Sequence, residues 1–277
     1  AIIAIYYMLR ISKTGALKYS VMAGLFMGLG LATKTSLAPI FGPFITSHFI
    51  YVFSLSDNTN DQISFSRRWS STIRGLSAGI ITSVLVLLIA QPYMFLDWGR
   101  FYGDVVEQSE MVLRIRDYPY TRQYIDTSPY LYQIQQLTTW GLGWPLGIIS
   151  WLGLLYVSLR GMRLRFVFYY VILGWLLPIT ILLSFGNFMS ILVGGIISIT
   201  ALLATLLIRT KESRSGVLLI AWVIPTFLIT GSFEVKFLRY LLPITPFLIL
   251  FGAKLFFSAW DKVSHVGART WLGLGMF

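Results

Sequence analysis

Apolar runs of up to about 20 residues recur along the chain. They fall near 1–9, 19–33, 36–54, 76–97, 138–159, 166–185, 189–208, 216–233 and 240–257, with a further run opening near Trp271. A helix of that length crosses roughly 30 Å of hydrocarbon. Lipid offers backbone amides no hydrogen-bond partner, so each run must satisfy its own, and a helix does so. No sustained period-two alternation of a transmembrane barrel interrupts them. The expected fold class is all-α: a polytopic transmembrane helix bundle of about nine to ten spans, multi-pass in the cell membrane.

One stretch departs from this pattern. Glu107–Leu137, EQSEMVLRIRDYPYTRQYIDTSPYLYQIQQL, holds acids, arginines, glutamines and many tyrosines. It lies in the only long loop on its side, about 98–137. Asp97 is placed to cap a helix over 98–116, whose apolar stripe would be Phe101, Tyr102, Val105, Val106, Val112 and Leu113. Such a stripe predicts a helix lying along the membrane surface. Ser128–Pro129 reads as N-cap and first helical position of the next helix, with a turn-rich Arg–Asp–Tyr segment over 116–127 between them. The chain thus divides into spans 1–97, an outer loop 98–137 with short interfacial helices, and C-terminal spans 138–277. A weak internal echo links Gly174–Phe185 with Ala221–Phe233, pairing Trp175 with Trp222 and Pro178 with Pro225.

Composition supports the bilayer as solvent. The 277 residues are 56% hydrophobic and only 12% charged, with mean hydropathy +0.73. A soluble domain carries about twice that charged fraction. The net charge of +11 is unevenly spread. One set of alternate loops holds fifteen basic residues (Arg10, Lys13, Lys18, Arg67, Arg68 and Arg74 among them) against four acids. The other holds Lys34, Arg100, Arg114, Arg116, Arg122, Lys236 and Arg239 against seven acids, net zero. The positive-inside rule puts the first set in the cytoplasm and the 98–137 loop outside. The positive charge therefore reports topology, and nucleic acid is not an expected partner. There is no cysteine, so metal–thiolate sites are excluded. His48 and His265 have no ligand partner at metal spacing. No intramembrane acid, phosphate-binding Gly-rich loop or nucleophile elbow is found. No metal and no cofactor is expected.

Three segments carry candidate chemistry. Lys34, flanked by Thr33, Thr35 and Ser36, sits at a tight helix junction at the outer face, where an ammonium and hydroxyls suit a phosphate. The bland alternative is a lysine snorkelling to lipid headgroups. Lys236 and Arg239, three apart at the outer mouth of a span, would share one face if that segment were helical. In the outer loop, Tyr118, Tyr120, Tyr124, Tyr130 and Tyr132 present flat faces with hydroxyl tips, suited to sugar rings or to lipid interface. Asp117 and Asp126 are candidate acids there, and Arg114, Arg116 and Arg122 candidate phosphate ligands.

Together, the ATK turn at 32–34, the QPYMFLDW exit at 91–98 and KFLRYLLPITPFLIL at 236–250 resemble the GT-C superfamily of polytopic glycosyltransferases. The likeness is to phospholipid-carrier-dependent members, similar to protein mannosyltransferases and aminoarabinose transferases, and covers about 19–257. It implies transfer of a sugar from a polyprenyl-phosphate donor in the outer leaflet to an acceptor, itself not readable here, on the extracytoplasmic face. It implies Lys34, Lys236 and Arg239 as ligands of the lipid phosphate, and Asp117, Tyr118, Tyr120, Arg122 and Tyr124 as substrate-binding residues. In that family the catalytic acid lies in the first outer loop. No residue of this chain matches it, so the catalytic base is unknown and the chain is expected to be a C-terminal fragment lacking that loop. Two other readings stay open: a transporter or flippase of a lipid-linked solute, marked by broken helices at mid-membrane, and a non-catalytic scaffold with partners in a membrane complex.

Overall fold

The computed structural model describes residues 1–53, 65–159 and 214–262. Among the described residues the chain is helical, with no strand. The helices are α1 (Ile2–Thr14), α2 (Leu17–Thr33), α3 (Phe41–Phe53), α4 (Phe65–Ala90), a single turn α5 (Tyr93–Leu96), α6 (Trp98–Val112), α7 (Leu131–Gln136), α8 (Trp144–Leu159), α9 (Arg214–Gly231) and α10 (Thr245–Trp260). The expected spans at 166–185 and 189–208, the segment near Trp271 and the first half of the internal echo lie outside the described residues. Among the described residues, two helical stretches are long and apolar enough to cross a membrane by length and composition, Thr35–Phe53 with 19 residues and Phe65–Ala90 with 26. The chain forms two compact units, Ala1–Val106 with Leu202–Trp222, and Glu107–Ala201 with Val223–Phe277.

In the first unit, α2 and α4 run parallel along a seam of small residues. A Cβ on Gly24 would collide with the Gly79 carbonyl, and one on Gly28 with the Ser83 carbonyl and Val86. Ser20, Gly24 and Gly28 on α2 therefore face Gly75, Gly79 and Ser83 on α4, each set spaced by four. Side chains this small let two backbones approach closely, the packing solution helices use where burial from water does not drive them together. Above Gly75 sits His48 of α3. Its Nδ1 donates to the Phe44 carbonyl at 3.0 Å, which leaves Nε2 to accept the Ser20 hydroxyl at 3.1 Å. His48 is thus a buried clamp between α2 and α3, and the histidine that offered no chemistry in sequence has a packing role.

Helix α4 begins well before the expected 76–97 span, because SRRWSSTIR contains no breaker, and it stops at Ala90 because Pro92 cannot continue the ladder. Its outward face stays apolar and exposed through Ile73, Ile80, Ile81, Leu85 and Ile89, the last 81% exposed. In the second unit, α8 and α10 pair in a similar way: Gly153 lies against the Phe251–Gly252 backbone and Gly252 against Ser150. The Tyr156 and Ser258 hydroxyls meet at 2.6 Å along the same pair. Pro225 lies inside an unbroken α9, so this position carries no helix break.

Candidate functional site

The site residues of the second unit come from two segments, Glu107–Tyr132 and Ser232–Tyr240. Asp97 does cap α6: the Arg100 amide donates to its Oδ1 at 3.3 Å. The helix ends sooner than expected, however, at Val112. Arg114 takes φ +55°, its amide returns to the Met111 carbonyl at 3.1 Å, and the Ile115 amide returns to the Glu110 carbonyl at 2.8 Å. This is a left-handed closure that normally uses glycine; an arginine there bears the cost of its Cβ. The next helix also differs from expectation. Ser128–Pro129 forms a turn, Tyr130 sits at φ +60°, and α7 starts at Leu131. Tyr130 is held in that conformation by its amide to the Gly231 carbonyl and its hydroxyl to the Leu228 carbonyl, each at 3.3 Å. Its ring lies on Gly231, where no side chain fits.

The two segments are tied by the Val235 amide, which donates to the Val112 carbonyl at 3.1 Å. At their centre is Phe237. Tyr120 stacks on its ring at 6.4 Å between centroids, Tyr124 meets it edge-on at 5.4 Å, and Tyr240 edge-on at 5.6 Å. Tyr132 meets Tyr124 edge-on at 5.9 Å, and Tyr118 lies 5.6 Å from Tyr120. Tyr124 is 7% exposed, while Tyr120 is 54% exposed, so the group has a buried floor and an open edge. Burial raises the Tyr124 and Tyr240 hydroxyls above the usual tyrosine range, so both stay protonated donors. The Arg239 guanidinium is exposed and lies over the Phe237 ring, 4.2 Å from its centroid, with the Tyr240 ring at 5.8 Å. It makes no ion pair among the described residues.

Lys236 and Arg239 do not share a helical face, because the segment before α10 is not helical beyond a turn at Leu238–Tyr240. Pro243 disfavours a helical conformation at the residue before it, and Pro246 fits the first turn of α10, so the helix waits until Thr245. The side chains diverge accordingly. Lys236 is 2% exposed, and its Nζ donates to the Glu234 carbonyl at 3.2 Å. Burial holds its ammonium below the usual lysine range; Glu234 partly offsets this and the Arg114 charge adds to it. A buried cation that donates to a backbone carbonyl, with a Glu234 charge that offsets its burial only in part, is an arrangement that a further anion relieves.

Several other loop charges are paired. Arg122 donates to Asp117 Oδ2 from Nε at 2.9 Å and from its terminal nitrogen at 2.7 Å. That bond holds the Asp117 carboxyl below its usual range, which makes it a poor general base. Tyr118 donates to Glu107 Oε1 at 2.7 Å, and Arg116 bonds Glu110 at 2.9 Å. Lys34 belongs to the first unit. It is exposed, in extended backbone at φ −158°, at the break between α2 and the turn Thr35–Ile40 that leads into α3. No group of three potential metal ligands occurs among the described residues. Sequence reading missed Phe237 as the hub and the turn at Tyr130, and it named Arg114 as a candidate phosphate ligand without its electrostatic link to Lys236. Phe237 left a trace only as the aromatic residue between the two cations. Compared with known proteins, the chain matches no family model, no curated protein and no solved structure.

Proposed function

We propose that this chain is the donor-binding part of a multi-pass membrane glycosyltransferase that takes its sugar from a polyprenyl phosphate on the extracytoplasmic face. The observation that carries the reading is Arg239: an exposed guanidinium backed by the Phe237 ring, edged by tyrosines, and uncommitted to any acid of the described residues. A planar fork stacked on a ring is oriented for two phosphate oxygens. Tyrosine faces beside it suit a sugar ring. The buried Lys236 and the half-buried Arg114 add positive potential to the same unit. The exposed apolar wall of α4 and the one-sided loop charge support a bilayer environment, with the tyrosine loop outside and Lys34 a third candidate phosphate ligand on that side. The acid that activates the acceptor is assigned to no residue here, since Asp117 is paired.

Two measurements test this. In the whole enzyme, Arg239→Lys is expected to weaken donor binding roughly tenfold, the scale of one lost charge-assisted bond of about 1.4 kcal/mol. Unchanged donor affinity in an Arg239→Ala, Lys236→Ala double variant overturns the phosphate assignment. Because the chain has no cysteine, introduced ones report topology. A thiol at Ser128 is expected to react with an impermeant reagent on intact cells and one at Ser66 to be protected; the reverse pattern overturns the orientation.

A further inference from the structure

We propose that the basic end of the first unit is a docking surface for anionic phospholipid headgroups. Helices α2 and α4 run parallel along the glycine seam, so their N-termini lie at one end. The turn between α1 and α2 lies at that same end: Ser71 of α4 donates to the Gly15 carbonyl at 3.0 Å, and Gly15 lies against the Tyr51 ring near the end of α3. This connectivity gathers Arg10, Lys13, Lys18, Arg67, Arg68 and Arg74 around one rim. The described residues up to Leu96 contain no acid at all. Counting Asp57 and Asp61 from the segment that joins α3 to α4, cations still outnumber acids six to two.

Three further features select a lipid headgroup among anions. First, aromatic rings are interleaved with the cations: Arg10 lies over Tyr6 at 5.3 Å, Lys18 over Tyr19 at 5.1 Å and Arg68 over Tyr51 at 5.9 Å. Amphipathic rings and snorkelling cations are the groups that populate the headgroup layer. Second, the rim sits directly on exposed apolar wall, with Leu17 beside Lys18 and Ile73 beside Arg74. An anion bound there meets charge at one level and hydrocarbon contact one turn away, which matches a phospholipid and not a soluble phosphate. Third, α2 opens on Ala16, which has no capping side chain, and neither α2 nor α4 carries an acid in its first turn. The side-chain-uncapped N-terminus of α2 adds amide donors to the cations, while the C-terminal ends of α1 and α3 at the same rim offset the helix dipoles, so the charge there is that of the side chains. The inference rests on reading the helices as membrane spans and is independent of sugar transfer.

The test uses the full chain in phosphatidylcholine nanodiscs and a fluorescent phosphatidylglycerol probe. The probe is expected to bind in preference to labelled phosphatidylcholine, with affinity falling as salt rises. Each neutralised cation is expected to lower it by up to roughly fivefold, so that Lys18→Gln with Arg67→Gln, and Lys13→Gln with Arg74→Gln, both weaken binding clearly. Arg100→Gln removes the same charge from α6, which follows the opposite end of α4, and is expected to leave binding unchanged. Equal loss in the Arg100 variant overturns the proposal, because net charge alone then explains it. Competition by millimolar inorganic phosphate also overturns it in favour of a soluble anion. Release of the chain from membranes by alkaline carbonate defeats the span reading beneath it, whereas loss of sugar transfer with lipid preference intact defeats only the function proposed above.

Discussion

The α2–α4 seam and the Phe237 group are two solutions to the same problem, that of holding an apolar chain in one arrangement. The seam works by omission. Gly24, Gly28, Gly75 and Gly79 remove side chains so that backbones touch, with the His48 clamp and the Ser71 bond to the Gly15 carbonyl as polar ties beside them. The Phe237 group works by addition. Five tyrosines and a stacked arginine fill space around one ring, and the backbone bends to deliver them, with Arg114, Asp126 and Tyr130 all at positive φ. Those three are the only non-glycine residues at positive φ among the described residues. A seam of glycines tolerates no added volume, while a group of half-exposed rings tolerates volume and responds to charge and conformation.

The sharpest break of this comparison is a volume change in the seam. A Cβ on Gly79 meets the Phe44 ring and the Ser20 carbonyl, so the helices must separate to admit a larger side chain. Gly79→Val is expected to destabilise the protein by about 3 kcal/mol or more, read as a lower midpoint in detergent unfolding. Gly103→Ala on α6, where nothing lies within 4 Å, is expected to be neutral or to stabilise by up to about 1 kcal/mol. Equal losses at the two glycines would dissolve the distinction.

The two regions also differ in how far they were readable from the chain. Apolar runs announced α2, α3, α4, α8, α9 and α10, because hydropathy is a local property of consecutive residues. Helix ends were readable where the deciding residue was local, as with the Asp97 cap, and unreadable where it was not. Arg114 and Tyr130 adopt left-handed backbone because carbonyls at Glu110 and Gly231 reward them, and nothing in an arginine or tyrosine announces that. The four-residue glycine spacing on α2 and α4 raised no expectation from the chain, because only the fold shows that the two stripes face each other. Among the proposed site residues, charge and aromatic content pointed to Arg239 and the tyrosines. The divergence of Lys236 from Arg239 followed from where Pro243 and Pro246 let α10 begin.

A smaller effect separates conformation from charge at the end of α6. Arg114→Gly removes a Cβ from left-handed backbone while keeping the returns to Met111 and Glu110. It is expected to raise stability by about 0.5–1 kcal/mol, as glycine does at such closures. The same change removes the cation beside Lys236, so donor affinity is expected to fall while the unfolding midpoint rises. A fall in both would mean that Arg114 is retained for packing alone.

The smallest expected signal is a pH dependence, and it isolates the buried charge. The Lys236 ammonium is held below its ordinary value of 10.5 mainly by burial. Between that lowered value and 10.5 the unfolded chain binds more protons than the folded one, so stability rises with pH across that window. Below it the folded state carries the full cost of a buried cation. Lys236→Met keeps length and apolar stem while removing the charge, and it is expected to flatten this alkaline rise and leave the midpoint at neutral pH equal to or above that of the parent. Addition of a phosphate-bearing donor is expected to flatten the rise in the parent as well, since a bound anion restores the protonated form, and to do nothing in Lys236→Met. A parent whose stability is level through the alkaline range, or a Met variant that loses stability at neutral pH, would show that Lys236 is satisfied where it lies and calls for no anion.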